Sequence, residues 1–331
     1  MISQVLALFG GVAIFIYGLT GISRATESVA ESDGLRKVTS KIRSPILAFL
    51  LGILVAGFTQ SSVAVSVITV SLVECGLTSF YLSAAIIMGA NVGTTATAQL
   101  ISLTGLEGCI IGSLSAIIGL LLSFSKNPRN KTVGDALMGL GFLFAGLSSM
   151  TTAISGLRGY RWFTRIFTVK SPVILFLNGV LLTAVMQSSS AVTGISVILA
   201  KLNAVTFTSS AFLTLGSNVG SCFAVVVTSL NKNTEARRAA FFNLFFNLLG
   251  AVLFFPVLYF FGEWITALFL SGVKDLSRAI ANFHTVFNLL CSLIFLPVLK
   301  PLTKLLSVII SDGKPKLRFS KTFGNKSTNF Y

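Results

Sequence analysis

Charge is scarce in this chain. Asp, Glu, Lys and Arg make up 11% of its 331 residues, where a soluble globular domain carries about a quarter. Acid is the scarcer sign, with 10 Asp and Glu against 25 Lys and Arg, and there is a single histidine. No His/Asp/Glu or Cys/His constellation falls inside the apolar stretches, so an enzyme working within a bilayer is not expected. The four cysteines, Cys75, Cys109, Cys222 and Cys291, stand singly without paired spacing, which argues against disulfides and metal centres. What abounds is apolar sequence. Hydrophobic residues account for 53%, mean hydropathy is +0.87, and many runs exceed the ~18 apolar residues of a helical span. Continuous runs exclude the alternating pattern of a transmembrane β-barrel. The expectation is an all-α integral membrane protein. Val5–Leu19 has no basic flank before it and no small-residue cleavage site after it, so it reads as a first span.

The net charge of +15 is not a nucleic-acid signature. The basic residues sit in short loops and in the C-terminal tail, where Lys300, Lys304, Lys314, Lys316, Arg318, Lys321 and Lys326 face one acid, Asp312. Basic clusters beside spans are what the positive-inside rule produces, so the tail is expected to be cytoplasmic. Contact with anionic lipid is a weaker reading of the same tail.

Residues 44–103 return without a gap as residues 171–230. Ser44-Pro45 aligns with Ser171-Pro172, Gln60-Ser61-Ser62 with Gln187-Ser188-Ser189, and Gly89-x-Asn91-Val92-Gly93 with Gly216-x-Asn218-Val219-Gly220. Roughly two positions in five are identical, far above chance. The preceding spans are related too, Gly11 and Gly18-Leu19 recurring as Gly139 and Gly146-Leu147. A smaller duplication closes the chain: Arg237, Asn243, Phe246-Asn247 and Pro256 match Arg278, His284, Phe287-Asn288 and Pro297. The expected organisation is one transmembrane domain over residues 1–300, with copy one at about 5–124, copy two at about 134–230 and closing helices at 237–300. A basic tail, 301–331, follows.

Each copy holds two apolar stretches of about 30 residues, interrupted by the Gln-Ser-Ser and Asn-Val-Gly notches, and both notches are expected to break their helices. Thirty helical residues measure about 45 Å against a hydrocarbon core of about 30 Å. The first stretch therefore fits a re-entrant hairpin with its tip at Gln60–Ser62 better than one straight span. If the first stretch re-enters and the second crosses, three crossings separate Ser44 from Ser171, and the copies are inverted. Loop charge does not decide it: inversion strands the basic loop Arg158–Lys170 outside, and a parallel arrangement misplaces Lys126–Lys131.

Helix breaks in a membrane free backbone groups. Helix N-termini then favour an anion, and freed carbonyls with Ser, Thr, Asn and Gln oxygens favour Na⁺. The notches supply Gln60, Ser61, Ser62, Asn91, Thr94 and Thr95 from copy one, and Gln187, Ser188, Ser189, Ser190, Asn218 and Ser221 from copy two. None is charged. An anion held there needs its charge offset, and a co-bound sodium does so. The competing reading, that small polar residues merely let helices pack, suits a single serine better than two motifs recurring in register. Gly89, Gly93, Gly216 and Gly220 are read as packing and hinge positions.

The doubled Gln-Ser-Ser motif, the doubled Gly-x-Asn-Val-Gly motif and the Arg278–Asn288 element resemble the sodium/phosphate cotransporter family, the type II carriers and their bacterial relatives. The resemblance covers nearly all of residues 1–300. It implies a plasma-membrane symporter of inorganic phosphate and sodium working by alternating access at the midplane, with Na⁺ as coupling ion and no other cofactor. By that likeness Ser61, Ser62, Ser188 and Ser189 contact phosphate. Gln187, Ser188, Ser190, Asn218 and Ser221 hold sodium, and Gln60, Asn91, Thr94 and Thr95 are additional contacts. The sequence departs from the family at Val63, where a third serine is usual, at Cys222 for threonine and at Asn243 for histidine. The PhoU-like domain of many bacterial relatives has no counterpart in these residues, which points to a carrier regulated elsewhere or not at all. Valine offers no oxygen, so the main sodium site is expected on copy two.

His284 is matched by Asn243 in the smaller duplication, and what the two share is hydrogen bonding rather than proton transfer. An interhelical role is therefore favoured over a relay. Glu74 and Lys201, equivalent and opposite in charge, are read as interfacial anchors. Arg237 and Arg278 are read as helix-end anchors. A passive channel for small anions is the rival function, using similar serines without ion coupling. Nothing in the sequence specifies an oligomeric state.

Overall fold

The computed structural model describes residues 1–30, 42–103, 106–273 and 275–311. Among the described residues it is all helix, without strands. Six helices are long and apolar enough to cross a membrane. Large apolar side chains such as Leu54, Phe58, Leu181, Val185 and Phe260 face outward, while Asn, Ser and Thr side chains are buried within. That inside-out distribution suits a solvent of lipid tails. Much of the connector 24–43 and the tail after residue 311 lie outside the described residues.

Helix α1 (Ile2–Ala30) is followed by two short helices, α2 (Pro45–Thr59) and α3 (Ser62–Glu74), then α4 (Phe80–Gly93) and α5 (Thr95–Ser102). The second set is α9 (Pro172–Met186), α10 (Ser189–Lys201) and α11 (Phe207–Ser229). Proline at the first turn starts α2 and α9, where its missing N–H is harmless. Both end on a glutamine in the left-handed region, Gln60 at φ 54° and Gln187 at φ 52°. The next helices begin at once: Ser61 Oγ accepts from the Ala64 N–H at 3.1 Å and Ser188 Oγ from the Ala191 N–H at 3.2 Å. At 13 to 15 residues each, these helices reach about 20 Å and fall short of a ~30 Å core.

Glycine contacts show how the chain turns back. A Cβ on Gly89 would sit 2.0 Å from the Phe49 carbonyl oxygen, and one on Gly93 would sit 2.3 Å from that of Ile53. Pairing therefore advances in the same direction along α2 and α4, which are parallel. Helix α3 between them must run the other way, so α2–α3 is a hairpin with its tip at Gln60. Gly216 against Phe176 (1.9 Å) and Gly220 against Val180 (2.4 Å) repeat this geometry in α9–α11.

The second notch behaves otherwise than expected. Helix α11 runs through Asn218–Gly220 without a break, and Thr94, between α4 and α5, keeps helical angles of φ −68° and ψ −14°. The glycines there serve close packing, and the asparagines stay inside intact helices because partners on other helices satisfy them.

Helix α6 (Leu106–Ser123) closes copy one and α7 (Pro128–Leu157) opens copy two, and α7 packs antiparallel on α1. Gly18 abuts Gly139 and Gly11 abuts Gly146, with Cβ-to-carbonyl approaches of 2.6 and 3.1 Å. The basic loop expected at Arg158–Lys170 contains a short helix, α8 (Arg161–Thr168), set at 107° to α9. Phe163 and Phe167 are buried beneath it while Arg161, Trp162 and Arg165 are exposed, a face pattern suited to a membrane surface. The closing helices are α12 (Thr234–Leu270), longer than its apolar run and non-helical at Phe261, and α13 (Leu276–Phe295). Helix α14 (Leu299–Ile309) ends against Arg238, whose Nε donates to the Ile310 carbonyl at 2.9 Å.

Glu74 is more than a solvated anchor. It pairs with Lys232 and its carbonyl accepts from Asn233 Nδ2 at 3.1 Å, joining the end of α3 to the end of α11. Arg278 Nη1 donates to Ser102 Oγ at 2.8 Å, joining the start of α13 to the end of α5.

Candidate functional site

The two hairpin tips meet. Between them lies a cavity of about 270 Å³ lined by Gln60–Ala64, Thr94, Gln187–Ser190 and one face of α1. Of the residues singled out in the sequence, Gln60, Ser61, Ser62, Thr94, Gln187, Ser188, Ser189 and Ser190 line it, and none carries a charge. Each tip brings a helix C-terminus and a helix N-terminus to this space. In the first turns of α3 and α10 the N–H groups have no carbonyl a turn back, and together they make a positive end for an anion. The last carbonyls of α2 and α9 offer the negative end. Ser61 and Ser188, already accepting from their own helices, keep a hydroxyl proton to donate.

The tips are not equivalent. Gln60 is buried; its Nε2 donates to the Gly57 carbonyl and its Oε1 accepts from Thr97 Oγ1 at 2.7 Å. Position 224, which matches Thr97, is alanine. Gln187 is exposed to the cavity, and among the described residues its side chain has no hydrogen-bond partner. Copy two is instead fastened lower down, Thr183 Oγ1 to Ser217 Oγ at 2.8 Å. A left-handed C-cap favours glycine, so glutamine at both tips is a strained choice that the amide side chain must justify.

The remaining candidates lie away from the cavity lining. Asn91 Nδ2 donates to Asn243 Oδ1 at 3.4 Å. Asn218 Nδ2 donates to Asn288 Oδ1 at 2.9 Å, which turns its oxygen to His284 Nε2 at 3.2 Å. The imidazole thus bridges α13 to α11, the interhelical role expected of it. Ser221 Oγ donates to the Asn218 carbonyl and Thr95 Oγ1 to that of Val92, both at 2.7 Å. Behind the tips, the equivalent hydroxyls of Ser66 and Thr193 are buried without a partner among the described residues.

Sequence reasoning missed the α1 wall. Ile16, Leu19, Thr20 and Ser23 line the cavity, spaced as one helical face. The available signal was two hydroxyls three residues apart near the end of an apolar span.

The uncharacterized protein YqeW of Bacillus subtilis (strain 168) is 28% identical over 249 residues, 75% of this chain and 80% of its own. The putative inorganic phosphate export protein YjbB of Escherichia coli (strain K12) is 27% identical over 262 residues, covering 78% of this chain. This chain spans about half, 48%, of YjbB. The YjbB protein of Salmonella typhimurium is likewise 27% identical, over 255 residues, 76% of this chain and 46% of its own. No solved structure gives a significant match. The profile of the family described as Na+/Pi-cotransporter matches residues 14–152 and 156–290. The chain is a multi-pass membrane protein that belongs to the Na⁺/Pi-cotransporter family, a family of transporters rather than enzymes.

Proposed function

We propose that this protein is a sodium-coupled symporter of inorganic phosphate that works by alternating access. The observation carrying the reading is the uncharged cavity where the two Gln-Ser-Ser tips meet. Two helix N-termini suit the phosphate oxygens, and Ser61, Ser62, Ser188 and Ser189 add donors. No fixed cation lines the cavity, so sodium bound beside the anion offsets its charge. Gln187, Ser188 and Ser190 on copy two are its ligands, because Gln60 is already committed to Thr97 and Val63 offers no oxygen. The side chain of Asn218 is engaged by His284 and Asn288, so Asn218 and Ser221 act on that site through the position of α11.

Inverted copies underlie alternating access, and two contacts support inversion. The ion pair Glu74–Lys232 sets the base of the first hairpin level with the far end of α11, whose near end is the base of the second. The equivalent helices α1 and α7 are antiparallel, each glycine meeting the other helix's non-equivalent one, as a local two-fold requires. Inversion sets Lys126–Lys131 and Lys232–Arg238 on one side and Arg158–Lys170 on the other, so loop charge adds nothing to these contacts.

The test is radiolabelled phosphate uptake by proteoliposomes with and without an inward Na⁺ gradient. Uptake should saturate and need Na⁺; equal uptake with choline at fixed pH overturns coupling. Reversing the gradient addresses direction, since the E. coli relative is named for export.

A further inference from the structure

The cavity at the hairpin tips is lopsided. One of its walls is the α1 face Ile16, Leu19, Thr20 and Ser23. The glycine register that relates α1 to α7 (Gly11 to Gly139, Gly18 to Gly146) carries these four residues onto Phe144, Leu147, Ser148 and Thr151. All four line a second cavity, of about 450 Å³, between α6, α7 and the end of α10. The same face of two equivalent helices thus borders two separate spaces, and only the α1 copy borders the Gln-Ser-Ser tips.

An apolar helix face that simply packed would bury its hydroxyls against neighbours. Ser148 is exposed, and among the described residues its hydroxyl has no partner. The wall is closely built: Phe144 and Ala116 fill the space beside Gly112 and Gly141, where an added Cβ would meet each at 2.6 Å. Lys201 stands at the end of the same cavity, a cation where an anion would enter.

We propose that Ser148 and Thr151 form the second wall of the phosphate and sodium path, facing the hairpin tips in the access state opposite to this one. In this state the tips face α1, while α10 packs on α7 farther from its tip, Gly194 beside Leu147. In the other they lean on α7, and the cavity between α6 and α7 joins the tips while the α1 side closes. Exchange of equivalent walls is what two related copies permit without any new contact type. The proposal rests on alternating access between inverted copies. It adds which residues take over.

The test uses the full chain, in a background lacking its four cysteines, with one cysteine at a time: Thr20→Cys, Ser23→Cys, Ser148→Cys or Thr151→Cys. Reaction with a membrane-impermeant thiol reagent is followed from each face of oriented vesicles, with and without Na⁺ and phosphate. The α1 pair should react from one face and the α7 pair from the other. A ligand condition that favours one state by about tenfold should slow one pair and speed the other by up to that factor. Two positions per helix guard against a variant that fails to insert. Reaction of both pairs from the same face overturns the proposal. So do α7 rates that stay fixed while α1 rates respond to Na⁺ and phosphate. If neither pair responds to Na⁺, sodium coupling fails, yet reaction from opposite faces still supports the two walls.

Discussion

Replacing each tip glutamine with glycine removes side-chain hydrogen bonds at one tip only, those of Gln60 with the Gly57 carbonyl and Thr97 Oγ1. Gln60 and Gln187 have nearly identical backbones, φ 54° and ψ 24° against φ 52° and ψ 24°. A side chain in that region costs about 1–2 kcal/mol, which glycine relieves, and glycine's extra freedom in the unfolded chain costs about 0.5–1 kcal/mol in return. These backbone changes are equal at the two sites and cancel in the comparison. Gln187→Gly removes no hydrogen bond seen in this structure, so its net effect is zero to slightly stabilising. Gln60→Gly removes the acceptor of Thr97 Oγ1, whose residue is 1% exposed. An orphaned buried hydroxyl costs about 1–3 kcal/mol. Gln60→Gly should therefore unfold a few degrees below Gln187→Gly in one detergent, read by thermal or denaturant unfolding. Gln187→Gly should meanwhile lose Na⁺-dependent uptake while matching or exceeding the parent in stability. A Gln60→Gly protein as stable as Gln187→Gly refutes a stabilising role for the Gln60–Thr97 bond, and with it the structural basis for unequal tips.

Alanine in place of either tip glutamine should separate their roles in transport. Gln187→Ala should raise the Na⁺ concentration for half-activation roughly tenfold or more, for about 1–3 kcal/mol of lost ligand, and Gln60→Ala should raise it less; equal shifts count against the copy-two sodium site. Gly216→Ala forces a methyl to within 1.9 Å of the Phe176 carbonyl and should prevent accumulation of folded protein, whereas Gly10→Ala, with nothing within 4 Å, should be neutral or stabilising; normal yields of both contradict the close crossing of α9 and α11. Native Cys75 at the base of the first hairpin, as sole cysteine, and Thr168→Cys at the base of the second should label from opposite faces; labelling from one face means parallel copies.

The repeat, the proline starts and the Gln-Ser-Ser tips were legible because each acts locally: Pro45 and Pro172 start a helix, and the serines cap the next one. The Asn-Val-Gly notch misled because an asparagine in apolar sequence signals either a broken helix or a partner across an interface. Sequence spacing does not distinguish these. Here Asn91 and Asn218 had partners, Asn243 on α12 and the His284–Asn288 pair on α13. Helix α8 escaped notice because eight residues, with buried Phe163 and Phe167 one turn apart, carry too short a pattern to rise above a loop. The α1 wall escaped because Thr20 and Ser23 are isolated hydroxyls, and only the assembled tips give them a partner space.

The departures from the family pattern acquire a common location. Cys222 Sγ lies 3.4 Å from the Asn243 carbonyl, and Asn247 Nδ2 reaches both Cys222 Sγ (3.3 Å) and Asn243 Oδ1 (3.0 Å). Two of the three substituted positions are therefore neighbours in one buried cluster between α11 and α12. A thiol in place of a hydroxyl weakens the donor, and an amide in place of an imidazole shortens the reach toward α4. Both residues sit in the hydrogen-bonded contact that joins α12 to α4 and α11, and neither lines the cavity. Val63 is different, since it lines the cavity itself. Under the proposed symport, the anion end built from backbone and the four serines is common to both copies, and Val63 bears on the sodium side. Restoring Val63→Ser should therefore change Na⁺ activation, whereas Cys222→Thr with Asn243→His should change maximal rate at saturating Na⁺; if both act on Na⁺ affinity alike, the cluster is part of the ion site and the division drawn here is wrong.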